Sequence, residues 1–387
     1  MRLFSRKPTA EATDHKSLGV PFLMNADWGA SPRWSGRSGA NLAKAGYGQN
    51  PVVYRCTQII AEAAASVPLM VRCDHQVVTD DHVVRRLSRP NADQSQEGFF
   101  QSIYAYLLLA GNAYIEVVQG AEGPAALWPL PPEAVEIVHT PRGTLDHYRH
   151  RTGGQGRRLA PAVNGAGGVL HIKTANTDGS PKGVAPIAVA AKAIDLYEAA
   201  TAWNKSLLDN AARPSGALIH RGPEGAATLT AAQFERLKQE LAATYQGPGG
   251  VGRPMLLDGG LEWKPMSLSP SEMDFKELKH GAARDIALAF GVPPMLLGIP
   301  GDNTYANYRE ANLAFWRQTI LPLVKKVVAD LSVIFCREEV SITPDTENID
   351  ALFQSRVDRL TLLLETDVLT NAEKRALLGY PSDEQAS

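Results

Sequence analysis

Apolar positions recur at helical spacing in two long runs between Ser269 and Cys336, and a stiff apolar loop joins them. The first run is Phe275, Leu278, Ala282, Ile286 and Ala289. Ser269-Pro270-Ser271-Glu272 before it has the form of a capping box, with proline at the first helical position. This predicts a helix ending near Phe290-Gly291. The loop is Val292-Pro293-Pro294-Met295-Leu296-Leu297-Gly298-Ile299-Pro300-Gly301. A second helix is expected from about Asp302-Asn303 to Phe335, with Leu313, Trp316, Ile320, Leu323, Val327, Leu331 and Ile334 on one face. Pro322 lies inside it, lacks a donor and crowds the carbonyl four residues back, so a kink is predicted there.

The same reading extends to the rest of the chain. Val53 to Ser66 has a helical face of Val53, Cys56, Ile60 and Ala63. Strands are expected at Val67–Arg72 and Val77-Val78, around a turn at Asp74-His75. A helix from Ser95 to Leu109 (Phe99, Ile103, Tyr106 and Leu109 in register) should stop at Gly111-Asn112. Alternation predicts strands at Ala113–Val118, Val135–His139, Leu145–His150 and Val169–Ile172, with Leu127–Pro132 as an extended edge. A long helix starts at Pro186 with the stripe Ile187, Ala191, Ile194, Tyr197, Thr201 and Leu208, and stops before Arg213-Pro214-Ser215-Gly216. A β-α-β-β insert follows. It comprises a strand at Ala217–Arg221, a helix opened by the Thr230–Gln233 capping box, and a Met255–Met266 hairpin turning at Asp258-Gly259-Gly260. A strand at Glu339–Ile342 and two helices, Asp350–Glu365 and Ala372–Leu378, close the chain. Thr370 and Glu373 announce the last helix and Gly379-Tyr380-Pro381 ends it. The fold class is α+β.

Composition narrows the function classes. The 387 residues are two to three domains' worth, and 44% hydrophobic content is enough for real cores. Lys plus Arg number 39 against 41 Asp plus Glu. That balance argues against a protein gripping nucleic acid over its whole surface, because such affinity rests on many phosphate contacts. Cys56, Cys73 and Cys336 are far apart and form no Cys-x-x-Cys pair, so buried thiols in a reducing compartment are expected. No apolar run approaches the ~20 residues that span a bilayer. Residues 1–46 carry seven basic side chains (Arg2, Arg6, Lys7, Lys16, Arg33, Arg37, Lys44) and three acidic ones (Glu11, Asp14, Asp27) without a clear period. They predict a flexible or partner-ordered arm, open to nucleic acid, a partner protein or solvent alone.

Candidate chemistry is sparse. Gly247-x-Gly249-x-x-Gly252 has the letters of a dinucleotide fingerprint, but it follows a helix and precedes a strand, the reverse of what places a phosphate on a helix N-terminus. His147 and His150 would point to opposite faces of a strand, which does not suit a metal. Asp345 and Glu347 lie in a polar turn. The closing helix pair offers only Lys374 and Arg375 as basic groups on its second member, too few for a DNA-reading helix-turn-helix. No metal, cofactor or catalytic residue is predicted. Lys276, Lys279, His280 and Arg284 fall off the apolar stripe of their helix, as a DNA-facing surface or an ordinary solvated face.

Several segments, in order, carry a resemblance. They are Asn50–Ile60, Arg89-Pro90-Asn91-Ala92, Tyr106–Glu116, Leu127–Pro132, Leu170–Lys173, Asp178–Pro186, Phe290–Gly298 and Tyr305–Ala311. Together they make the chain similar, over about Asn50 to Pro381, to the portal proteins of tailed double-stranded DNA phages, in the compact form of long-tailed phages, prophages and gene transfer agents.

The resemblance implies a portal fold assembling as a dodecameric ring at one capsid vertex. DNA would pass through its channel during packaging and ejection. It implies a 1–46 arm, a 47–184 wing, a 185–212 first stem helix, a 213–268 clip and a 269–291 second stem helix. A 292–304 tunnel loop, a 305–349 kinked helix and return strand, and a 350–387 crown would follow. Implied partners are other copies, double-stranded DNA, the terminase large subunit, a head–tail adaptor and the major capsid protein, with no membrane. The implied location is a virion or virus-like particle assembled in a bacterial cytoplasm. The implied channel groups are Met295, Leu296, Leu297, Ile299, Asp302, Asn303, Tyr305 and Arg309 of the loop region, and Lys276, Lys279, His280 and Arg284 of the stem. The loop's apolar content suggests a close, weakly interacting collar rather than a phosphate grip. Two other readings are a head–tail adaptor or minor capsid protein, against which the chain's length and stem-like helices argue, and a nucleotide-using enzyme.

Overall fold

Helix α1 (Pro51–Ala65) begins where Asn50 accepts from the amides of Val52 and Val53 at 3.0 and 3.2 Å. Such a cap satisfies donors that the first turn leaves open. The computed structural model describes residues 46–73, 76–120, 123–162, 167–209, 216–220, 261–265, 275–301, 304–335 and 340–365, with parts of 232–239 and 370–374. The N-terminal arm to residue 45, Asp74-His75, the Thr230 capping box, Gly247–Gly252, the Asp258–Gly260 turn, Ser269–Glu272, Cys336 and Gly379–Pro381 lie outside these residues.

After α1 come β1 (Leu69–Cys73), β2 (Gln76–Val77), α2 (His82–Ser88), α3 (Gln96–Ala110), β3 (Asn112–Gly120), β4 (Gly123–Leu130), β5 (Val135–His139), β6 (Leu145–Thr152), β7 (Gln155–Leu159) and β8 (Gly168–Lys173). Short α4 (Pro186–Val189) leads into α5 (Ala191–Asp209), then β9 (Gly216–His220), β10 (Leu261–Pro265), α6 (Phe275–Phe290), α7 (Tyr305–Phe315), α8 (Leu321–Ser332), β11 (Val340–Pro344) and α9 (Asp350–Glu365). Helix α3 runs from a Ser95 cap to Gly111, whose φ of 69° only glycine adopts without strain.

The sheets are antiparallel, with orders β11-β1-β2, β4-β3-β8, β5-β6-β7 and β10-β9. Pairing of β1 with β11 (Val71 opposite Ile342) ties the start of the chain to a strand near its end. The main core gathers α1, α3, β3, α6 and α8 around Cys56, Ile60, Phe99, Ile103, Ile115, Ile286 and Val327. Burial pushes the Cys56 thiol up to about 12, which keeps it a neutral core group.

The approach to α4 is held by one side chain. Asn112, almost fully buried, accepts through Oδ1 from Gly183 N at 2.9 Å and from His171 Nε2 at 3.0 Å, and donates through Nδ2 to Ala110 O at 2.7 Å. A Cβ on Gly183 would stand 2.2 Å from the Gly111 carbonyl oxygen, so only glycine fits between these two backbones. His171 stacks on Tyr114 at 4.5 Å, and desolvation, with Lys173 and Lys182 nearby, lowers its pKa to about 4. A neutral ring donating from Nε2 fits that environment.

Some elements depart from the periodicity reading. The Pro186 helix is broken at Ala190; Ile187 and Ile194 are both buried, while Thr201 is exposed. On α6 the buried face is Ala282, Ala283, Ile286, Ala287 and Phe290, and Leu278 is exposed. The reason is packing: α6 packs on α5, and its buried face is rich in alanines (282, 283 and 287), small side chains that permit close helix approach. Residues 316–320 form a π turn in which Leu321 N–H reaches back to Trp316 O. Pro322 has no N–H for the Gln318 carbonyl, and the wide turn absorbs that loss and the ring's bulk. Helix α2 and strand β7 carry too little apolar periodicity to be foreseen.

Candidate nucleic-acid interface

The loop after α6 is built rather than slack. Gly291, at φ 69°, ends the helix, with Gly291 N bonding Leu288 O at 3.0 Å and Val292 N bonding Ala287 O at 2.9 Å. This is a Schellman ending, completed by the buried pair Val292 and Ala287. Pro294–Leu297 then forms a 3-10 turn, closed by Gly298 at φ 71° and by Ile299 N bonding Pro294 O at 3.2 Å. Two side chains from outside hold it. Thr319 Oγ1 donates to Gly291 O at 2.6 Å, and the Arg284 guanidinium donates to Pro300 O at 2.7 Å.

These contacts revise what the loop presents. Ile299 is buried, Met295 is half-buried, and Leu296 and Leu297 pack against the main core. The apolar side chains therefore anchor the loop; an outward apolar collar is not what this loop displays. Its outer surface is Gly298, Pro300 and Gly301, followed by the start of α7. Thr304 caps that helix, its hydroxyl accepting from Asn307 N at 3.2 Å. Every residue from Thr304 to Glu310 is exposed, Tyr305 to 85% and Tyr308 to 49%. A helical stretch exposed all round gains nothing from its own subunit's core. Asp302 and Asn303 lie outside the described residues.

The four α6 groups divide. Lys276 is exposed. Lys279 is half-buried, with Nζ 4.8 Å from the centre of the Tyr197 ring on α5, a cation–π contact between the two helices. His280 is half-buried, and Arg284 is the loop's tie. The structure thus brings Arg284 and Pro300 together, leaves Arg309 exposed on α7, and gives Lys279 a packing role that spacing alone did not signal.

Elsewhere, His147 is buried against Asp146, at 2.8 Å from Nδ1 to Oδ2, and His150 lies on the other face of β6. Among the described residues there is no group of three or more His, Cys, Asp or Glu side chains placed to hold a metal, and no helix long and apolar enough to cross a membrane.

The α+β architecture with a doubly tied loop between two long helices sets the fold class, and comparison with known proteins gives the family. Residues 51–379 match the model of the phage portal protein family, and the chain belongs to that family. An uncharacterized protein of Rickettsia bellii (strain RML369-C) is 38% identical over 341 residues, covering 87% of this chain and 88% of that one. A chain from the neck of a native gene transfer agent particle, computed with C12 symmetry, is 41% identical with a TM-score of 0.69, covering 91% of this chain and 97% of that one. A phage portal protein from Corynebacterium diphtheriae shares the fold at 16% identity, with a TM-score of 0.57 and 80% and 95% covered.

Proposed function

We propose that this chain is the portal subunit at one vertex of a phage or gene-transfer-agent capsid, where copies form a ring around a DNA channel. Membership of the portal family and likeness to a particle neck support this. The observation that carries the channel role is the helix start at 304–310, exposed on every side and held clear of the core by a doubly tied loop. In this reading residues 47–184 and the returning 305–349 segment form the wing. Residues 185–212 and 269–291 form the stem, 213–268 the clip, 292–304 the tunnel loop and 350–387 the crown. The clip faces the packaging terminase and later the head–tail adaptor, and the wing meets the major capsid protein. The particle assembles in a bacterial cytoplasm.

The DNA-facing groups of the loop region shift accordingly. Pro300, Gly301, Tyr305, Tyr308 and Arg309 meet the passing duplex, while Met295, Leu296, Leu297 and Ile299 hold the loop in place. Near-zero net charge suits a channel through which DNA slides, because many fixed phosphate contacts would hold it. No step of this role requires a catalytic residue or a cofactor.

Electron microscopy of the purified chain tests the reading. The expected result is a ring with a central hole. A compact monomer that hydrolyses a nucleotide would overturn it, as would a linear, non-closing assembly.

A further inference from the structure

Two helix faces remain uncovered in the subunit. On α5, Lys192, Leu196 and Ala199 are exposed at spacings of four and three, which places them on one stripe. On α6, Leu278, Gly281, Asp285 and Leu288 repeat at three, four and three, the spacing of a two-helix seam. Leu278 is 40% exposed and Leu288 78%, and a Cβ built on Gly281 would meet nothing within 4 Å. The two helices pack on each other inside the subunit, and the residues they bury are others, among them Ile194, Ala200, Ala282 and Ile286. Apolar side chains this exposed on a helix mark a surface that something covers.

We infer that the occupant is a second copy of this chain, the Lys192–Leu196–Ala199 stripe of one subunit seating on the Leu278–Gly281–Asp285–Leu288 stripe of the next. Charge decides the pairing. One stripe carries a lysine and the other an aspartate, and neither side chain has an ion-pair partner among the described residues. Each stripe complements the other and neither complements itself. That rules out seating a stripe on its own copy, and with the ring of the portal reading the contact runs head to tail. Because the two stripes lie on different helices of one subunit, each added copy leaves a free stripe at either end until the chain of contacts closes. Gly281 gives the neighbour's helix room to approach, with Leu196, Leu278 and Leu288 as the apolar anchors. This assignment rests on the portal reading and says which surfaces make its ring.

Charge reversal tests it: Lys192→Glu and Asp285→Lys alone, and the two together. Size-exclusion chromatography with light scattering and negative-stain microscopy read assembly, and a circular-dichroism melt reads the fold. The expected result is that each single reversal lowers the ring fraction at least tenfold with an unchanged melt, and that the double reversal restores rings. Leu288→Glu, at a fully independent position of the stripe, should also abolish them. If wild-type chain forms rings and the single reversals do too, the assignment is wrong while the portal reading stands. If the singles lose rings and the double does not regain them, the two stripes do not pair with each other, and the assignment is again overturned. If wild-type chain forms no ring, the portal reading itself fails.

Discussion

The hydroxyl of Thr319 donates to the carbonyl oxygen of Gly291 at 2.6 Å, joining the π turn before Pro322 to the end of α6. The interruption that Pro322 imposes is thus used as a clamp. A Cβ on Gly291 would come within 2.9 Å of Thr319 Oγ1, and the φ of 69° already disfavours any other residue. Gly291→Ala should therefore cost about 2 kcal/mol, from left-handed strain plus overlap. Thr319→Val should cost about 1 kcal/mol, from one lost hydrogen bond. Urea denaturation checks both. Gly291→Ala combined with Thr319→Ala should cost less than the two single changes added, because the second removes the atom that the first strikes.

Arg284 should matter to the loop more than to the fold. Its guanidinium is exposed, so the bond to Pro300 O at 2.7 Å adds under about 1 kcal/mol to global stability. Locally it is one of two outside ties on a short segment. Arg284→Met should leave the urea midpoint nearly unchanged but speed amide exchange at Gly298 and Ile299 several-fold. Unchanged exchange at those amides would show that the 3-10 turn holds itself.

Much of the chain was legible because its signals are local. Asn50, Ser95 and Gly111 mark helix ends by their own chemistry. The Thr370–Glu373 capping box also appears as expected, Thr370 N bonding Glu373 Oε2 at 2.8 Å and Glu373 N bonding Thr370 Oγ1 at 3.3 Å. What stayed hidden depends on distant partners. The inward turn of Leu296 and Leu297 requires a core supplied by other elements. Lys279 finds Tyr197 on another helix, and the buried face of α6 depends on the elements packed against it. Pro322 announced a break, but not that it would take the form of a π turn or that Thr319 within that turn would bond Gly291. The candidate site was legible as a place; which of its side chains face outward was not.

Gly183 and Asn112 should be among the least replaceable residues. Gly183→Ala puts a methyl 2.2 Å from the Gly111 oxygen and 2.7 Å from Thr174 N, and backbone on both sides cannot yield. Asn112→Ala leaves the Gly183 amide and the His171 Nε2–H without an acceptor in a buried place. Each orphaned donor costs about 1–3 kcal/mol, so a loss of roughly 3 kcal/mol is expected. Asn112→Asp keeps the acceptor and should recover part of it. Chemical denaturation of the three variants, followed by near-ultraviolet circular dichroism, measures this. A loss below about 1 kcal/mol for Asn112→Ala would show that water replaces the side chain.

His171 gives the protein a pH dependence above the carboxylate range. Its pKa is depressed to about 4 from 6.5, first by burial and then by Lys173 and Lys182. Between those values the unfolded chain binds a proton that the folded chain refuses. Stability is then full above pH 6.5 and falls as pH drops toward 4, where the loss levels off. The total is about 3 kcal/mol, taking each pKa unit as 1.36 kcal/mol. Glu136, Asp146 and Glu373 are held below the usual carboxylate range by Arg151, His147 and Thr370, so their contributions disappear in the same direction but at lower pH. Burial raises the pKa of the Glu198 and Asp330 carboxyls, which act in the opposite direction, so the histidine is read as the difference between wild type and His171→Gln in urea midpoints at pH 7.5, 6.0 and 5.0. A wild-type series that falls more steeply toward low pH than that of His171→Gln, which keeps a donor toward Asn112 without a proton to gain, is the expected result. Parallel slopes in the two proteins would place the pH dependence on another group.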